Sequence, residues 1–228
     1  PILFLFMWSF LKTFKTLKPI YGIISGLIFG SLFLSYIYFA VFAFIFALII
    51  CLKELYFSKK FLKFNSLLNQ LKRPFIYFII GSLPGLIPFI SNYSQMNKLG
   101  QIFIDWKGRN GVISTHALII ENSDWIHFLL IIPALFIFCA AYKTADNYKN
   151  KEMITLGFIP YLSAWLASNS NIITGISPQK TNFTAYLNFP FFLLTTIIGS
   201  FIFYKYLKFK EKYLLFCFIS ISIISTIF

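Results

Sequence analysis

Residues 20–52 read IYGIISGLIFGSLFLSYIYFAVFAFIFALIICL, and the fold turns on whether this stretch crosses a membrane once or twice. Its 33 residues contain no charged side chain. A membrane-spanning helix needs about 20 apolar residues. The stretch is therefore too long for one upright span and short for two. The choice fixes the side on which every later loop lies.

The distribution of lysine and arginine makes the choice. Segments 11–19, 53–73, 143–152 and 205–212 carry 16 of the 20 Lys and Arg residues. All four fall on one face only if residues 20–52 cross an even number of times. The positive-inside rule then puts that face in the cytoplasm. The expectation is two short helices, 22–34 and 37–52, with a tight reversal near Ser35–Tyr36. One long tilted helix is the alternative, and it breaks the charge rule at one loop.

Further along, apolar runs at 74–90, 125–142, 153–167 and 185–204 read as spans, the first interrupted by Gly81, Pro84, Gly85 and Pro88. Residues 1–10 read as the tail of a span and 213–228 as the start of another. Both are shorter than a span needs, so the chain reads as a piece of a longer protein. The expected fold is all-α: one membrane domain over 1–228, a polytopic transmembrane helix bundle of about six to seven spans, counting the partial terminal ones. Its expected location is the bacterial cytoplasmic (inner) membrane. The richness in Phe, Ile, Lys, Asn and Tyr points to an AT-rich bacterial genome, and the sequons at Asn92 and Asn182 read as chance matches.

Composition agrees. Apolar residues make up 58% of the chain against roughly half in soluble domains, and only 12% are charged. The formal charge of +13 does not signal nucleic acid, because the lysines sit in short clusters beside apolar runs. A nucleic-acid binder carries its basic stripe on a soluble module. Cys51, Cys139 and Cys217 lie in or beside apolar runs, at neither metal-site nor disulfide spacing.

Two patterns bear on packing. Gly22, Gly26 and Gly30 recur every four residues, which puts them on one helix face where a second backbone can come close. In segment 53–73, Phe57, Phe61, Phe64, Leu68 and Leu71 repeat at helical spacing, with Lys59, Lys60 and Lys63 largely off that stripe. This reads as a basic amphipathic helix lying in the cytoplasmic interface.

Chemistry is expected in the two non-cytoplasmic loops, 91–124 and 168–184. The spans 125–142, 153–167 and 185–204 contain no Asp, Glu, Lys or Arg, and their one histidine, His127, lies at an outer end. Ion-coupled transport usually needs ionisable groups within the membrane. The first loop holds Asp105-Trp-Lys-Gly-Arg-Asn-Gly111, then His116. Arg109 offers a planar fork for phosphate oxygens and Lys107 a point charge. Asp105 could hold a sugar hydroxyl, orient a base or help bind a divalent metal. Trp106 could stack on a sugar, and His116 could move a proton near neutral pH. Asp105 and His116 are the catalytic candidates. They do not stand at metal-motif spacing, so no metal site follows from them. An interfacial loop of ion pairs and an aromatic anchor fits the same residues. The second loop supplies Asn169, Asn171, Thr174, Gln179 and Asn182, whose amides and hydroxyls suit sugar recognition and equally suit capping of helix ends.

The stretch Asn169-Ser-Asn-Ile-Ile-Thr-Gly175, with Gln179 and Asn182, resembles a signature of bacterial multi-pass proteins that are similar to membrane glycosyltransferases of the GT-C type. In that pattern an amide-rich helix end leads into an Ile-Thr-Gly turn, followed by Gln-Pro and a His. This chain has Lys180 at the Pro position and Asn182 near the His position, and an amide transfers no proton. The Arg109–Gly111 loop and the Gly22–Gly30 helix look similar as well. The resemblance implies a transferase that uses a polyprenyl-phosphate-linked sugar on the non-cytoplasmic face. It also implies a catalytic carboxylate in an earlier external loop, outside this piece. Two other classes stay open: a flippase, transporter or polysaccharide-export component, and a non-catalytic membrane scaffold.

Overall fold

The computed structural model describes residues 2–35, 37–61, 64–98, 129, 131–145, 147–170 and 189–207. The described residues are all-helical: α1 (Ile2–Thr16), α2 (Pro19–Ser35), α3 (Ile37–Phe61), α4 (Phe64–Lys98), α5 (Ile131–Thr144), α6 (Tyr148–Ser168) and α7 (Phe189–Leu207). Helices α1–α4 belong to one compact unit and α5–α7 to a second.

In the first unit, α2 ends at Ser35 and α3 begins at Ile37, as charge parity requires. The ring of Phe6 on α1 ties the two together. It lies 6.1 Å from Phe29 on α2 and 6.2 Å from Phe46 on α3. Phe29 and Phe46 are therefore at most about 12 Å apart. Seventeen residues of straight helix would separate them by about 25 Å. The chain has turned back.

The most extensive interface in the unit joins α2 to α4. A methyl group built on Gly22 would lie 2.5 Å from the Pro74 carbonyl oxygen, and one on Gly30 would lie 2.5 Å from that of Ser82. Gly26 approaches the Phe78 carbonyl oxygen more closely still, and from the other side Gly81 faces the carbonyl of Ile23 at 2.6 Å. Backbone meets backbone along the whole glycine stripe, as small residues at four-residue spacing allow. The partners advance together: 22 with 74, 26 with 78, 30 with 82. Hence α2 and α4 run parallel, and α3, which links them in sequence, runs back the other way. The rings of Phe29 with Phe78 and Phe33 with Phe89, 5.4 and 5.1 Å apart, follow the same order. Helix α1 runs antiparallel to α2, pairing Phe6 with Phe29 and Trp8 with Tyr21.

Two boundaries differ from the sequence reading. Residues 53–61 continue α3, and α4 begins at Phe64, ten residues before Pro74. Helix α4 also passes through Pro74, Pro84 and Pro88 without a break. Glycines 81 and 85, expected as interruptions, instead face α2. Pro84 and Pro88 lie on the exposed side.

In the second unit α5, α6 and α7 alternate in direction. Phe138 stacks on Phe158 at 4.7 Å, while Ala141 and Ala145 pack with Ile154, so α6 runs back along α5. Gly157 meets Ile198, and Tyr161 lies 5.6 Å from Phe192, so α7 runs back along α6. Asn147 caps α6: its side-chain oxygen accepts a hydrogen bond from the Asn150 amide at 2.8 Å.

Apolar surface stays uncovered across the described helices. Ile87 and Ile90 on α4 are 60% and 62% exposed, and Phe136 on α5 is 74% exposed. Among the described residues one helical stretch, Lys72–Asn92 within α4, is long and apolar enough to cross a membrane.

Candidate functional site

Of the residues expected to carry chemistry, Asn169 is described. Asp105, Lys107, Arg109, His116, Asn171, Thr174, Gln179 and Asn182 lie outside the described residues, as does Trp106.

Asn169 is buried at the carboxyl end of α6. Its side-chain nitrogen donates to the Trp165 carbonyl at 2.8 Å and to the Ser168 hydroxyl at 3.2 Å. Its backbone N–H also reaches Trp165 O at 3.2 Å, and the Ser170 N–H closes onto Ala167 O at 3.2 Å. The last carbonyls of a helix lack the partners of its interior. At Trp165 O the Asn169 side chain adds a second donor to its own backbone N–H. Of the two roles that the amide could serve, the geometry uses the capping one.

The buried hydroxyls follow one rule. Ser9 donates to Phe6 O, Thr13 to Ser9 O, Ser25 to Gly22 O, Ser82 to Ile79 O, Ser163 to Ile159 O and Thr196 to Phe192 O. Each hydroxyl turns back onto its own helix three or four residues earlier, which satisfies it without water. Thr195 does the same with Phe191 O at 2.9 Å and also reaches across to Gly157 O on α6 at 3.2 Å. Hydroxyls spent this way do not form a polar path through the described helices.

Tyr161 is the exception, and the sequence reading did not single it out. It is fully buried, and its hydroxyl has no hydrogen-bond partner among the described residues. Its ring lies between Phe158 and Phe192, with centroids at 6.3 and 5.6 Å. An unpaired buried hydroxyl costs about 1–3 kcal/mol. Tyr161 stands two turns before Ser168 on α6, roughly 10 Å along the axis. Its one signal in the sequence is a phenol in an otherwise apolar run.

No protein-family model, curated protein or solved structure matches the chain.

Acidic, histidine and cysteine side chains do not gather into groups of three among the described residues. At the turn between α5 and α6, the Lys151 ammonium stands 5.4 Å over the Tyr142 ring. This contact ties the basic turn to the end of α5.

Proposed function

We propose that the chain is a multi-pass protein of the bacterial cytoplasmic membrane that serves glycosyl transfer from a polyprenyl-phosphate-linked sugar on the non-cytoplasmic face. The observation that carries the membrane reading is the parallel pairing of α2 with α4, linked in sequence by the returning α3. Parallel neighbours joined by one returning helix put segments 11–19 and 53–73 at the same end. Those are two of the four lysine-rich segments, so packing and charge agree on direction. Within the second unit, taken by itself, α5, α6 and α7 also alternate in direction. The uncovered apolar surface and the inward-turned hydroxyls fit lipid surroundings.

The chemistry rests on the loop residues. Arg109 and Lys107 would hold the donor phosphate. Asp105, Asn171 and Gln179 would contact sugar or acceptor, and His116 would assist proton transfer or phosphate binding. A divalent metal would join through Asp105, if one takes part. Thr174 and Asn182 complete the polar loop, and Asn169 caps the end of α6. The test is sugar transfer from a lipid-linked donor in membrane vesicles. Arg109→Ala and Asp105→Ala should each lower the rate by about a hundredfold or more. Unchanged transfer in both variants would sink the proposal.

The scaffold reading has one observation in its favour: the amide of Asn169 is spent on a helix end. It predicts that both loops tolerate replacement by Gly/Ser sequences, which the transferase reading forbids.

A further inference from the structure

One end of the first unit gathers cations from separate parts of the chain. Lys12 and Lys15 lie in the last turns of α1, and Lys18 immediately precedes α2. Lys72 and Arg73 immediately precede Pro74, whose carbonyl oxygen abuts Gly22 near the start of α2. The parallel register of α2 and α4 sets Lys72 and Arg73 level with Ile20 and Tyr21, within a turn of Lys18. Lys18, Lys72 and Arg73 are exposed. Across residues 1–73 the one acidic side chain is Glu54, and it is paired with Lys53 at 2.9 Å.

Apolar surface begins where the cations stop. Ile20 follows Lys18 and is 53% exposed; Phe75 and Ile76 follow Arg73 and are also exposed. Trp8 and Tyr21 meet edge to face at 5.6 Å beside them, and such rings favour the level of lipid headgroups. Phosphate-binding cations directly against acyl-binding surface match one ligand chemistry.

We propose that the end of unit 1 formed by Lys18, Lys72 and Arg73, with Lys12 and Lys15 beside them, is a binding site for an anionic phospholipid of the cytoplasmic leaflet. The phosphate meets the cations, and the chains lie along Ile20, Phe75 and Ile76. The charge complementarity is that of basic pockets between membrane helices. Arg73 adds a planar fork suited to phosphate oxygens. This inference rests on the membrane reading above but not on the glycosyl-transfer chemistry.

The test uses the whole chain extracted from membranes, with native mass spectrometry to count retained lipid after adding phosphatidylglycerol or phosphatidylcholine. The wild type should retain phosphatidylglycerol in roughly tenfold preference, and Lys72→Gln/Arg73→Gln should lose most of it. Lys143→Gln/Lys149→Gln, in the second unit, should keep it. Circular dichroism of each variant checks that the helices persist. Equal retention of the two lipids by the wild type overturns the proposal. So does a preference that survives in the Lys72/Arg73 variant, or one that millimolar inorganic phosphate abolishes. If the chain leaves membranes without detergent and stays monodisperse, the membrane reading itself falls. Extraction that requires detergent but shows no lipid preference sinks the lipid site alone.

Discussion

Replacing Gly26 by alanine adds one methyl group at the middle of the α2–α4 seam. That methyl would press on the Phe78 carbonyl oxygen and stand 3.0 Å from the Ser82 amide nitrogen. Both are backbone atoms, so no rotamer change relieves the clash, and the helices must part by up to about 1 Å. A gap of that size forfeits a quarter to a half of each van der Waals contact along the seam. Overpacking of this kind costs about 1–3 kcal/mol, against which alanine regains up to about 1 kcal/mol of helix propensity. The expected net loss is about 1–2 kcal/mol, a fall in Tm of roughly 2–8 °C for a chain of this size. Gly157→Ala is the control. Its methyl would meet Cδ1 of Ile198, the far end of a flexible side chain that can turn aside. That variant should stay within about 1 kcal/mol of wild type. The assay is thermal denaturation in detergent followed by circular dichroism. Should Gly26→Ala melt with the wild type, or Gly157→Ala fall further than Gly26→Ala, the backbone-to-backbone seam would be refuted.

Leu17 is a non-glycine residue at φ 55°, between α1 and α2. Leu17→Gly should raise Tm by up to roughly 2–8 °C, since the left-handed conformation costs leucine about 1–2 kcal/mol and favours glycine. A lower Tm would mean that the leucine side chain holds the hairpin. Tyr161→Phe removes the unpaired hydroxyl and should leave stability unchanged or raise it by about 1 kcal/mol; destabilisation in the same melt would reveal a partner for that hydroxyl. Asn169→Ala should cost about 1 kcal/mol by uncapping α6. Hydrogen exchange should then show faster exchange of the Asn169 and Ser170 amides, and unchanged exchange there would contradict the cap.

The helical class and the packing of the first unit were legible in the sequence, through two signals of different kinds; the expected six to seven spans were not, since one helix among the described residues has the length and apolarity to cross a membrane. Charge parity, a property of the whole chain, called for a reversal within residues 20–52, and α2 ends at Ser35 with α3 beginning at Ile37. The four-residue spacing of Gly22, Gly26 and Gly30, a local property, announced a close helix crossing. What the spacing could not name was the partner. The facing stretch of α4 pairs Pro74, Phe78 and Ser82 with that stripe, and only Gly81 and Gly85 look like a seam. Helix lengths were less legible. The basic residues 53–61 contain no breaker, so α3 runs through them. Prolines that would end a helix in water are tolerated where neighbouring groups satisfy the freed backbone. At the candidate site the limit is chemical. An asparagine after a helix can cap it or bind a ligand, and the sequence around Asn169 is the same in either case. Tyr161 drew no notice because burial, not residue type, makes its hydroxyl unusual.

The most direct test of the account is the sidedness of the turns in unit 1. In a background with Cys51, Cys139 and Cys217 replaced, single cysteines at Thr16, Ser35, Lys72 and Asn92 would be treated on intact cells with a membrane-impermeant thiol reagent. The account predicts labelling at positions 35 and 92, with positions 16 and 72 reacting only after the membrane is opened. Labelling of 35 and 92 from opposite sides would contradict it, because parallel α2 and α4 must end on the same side.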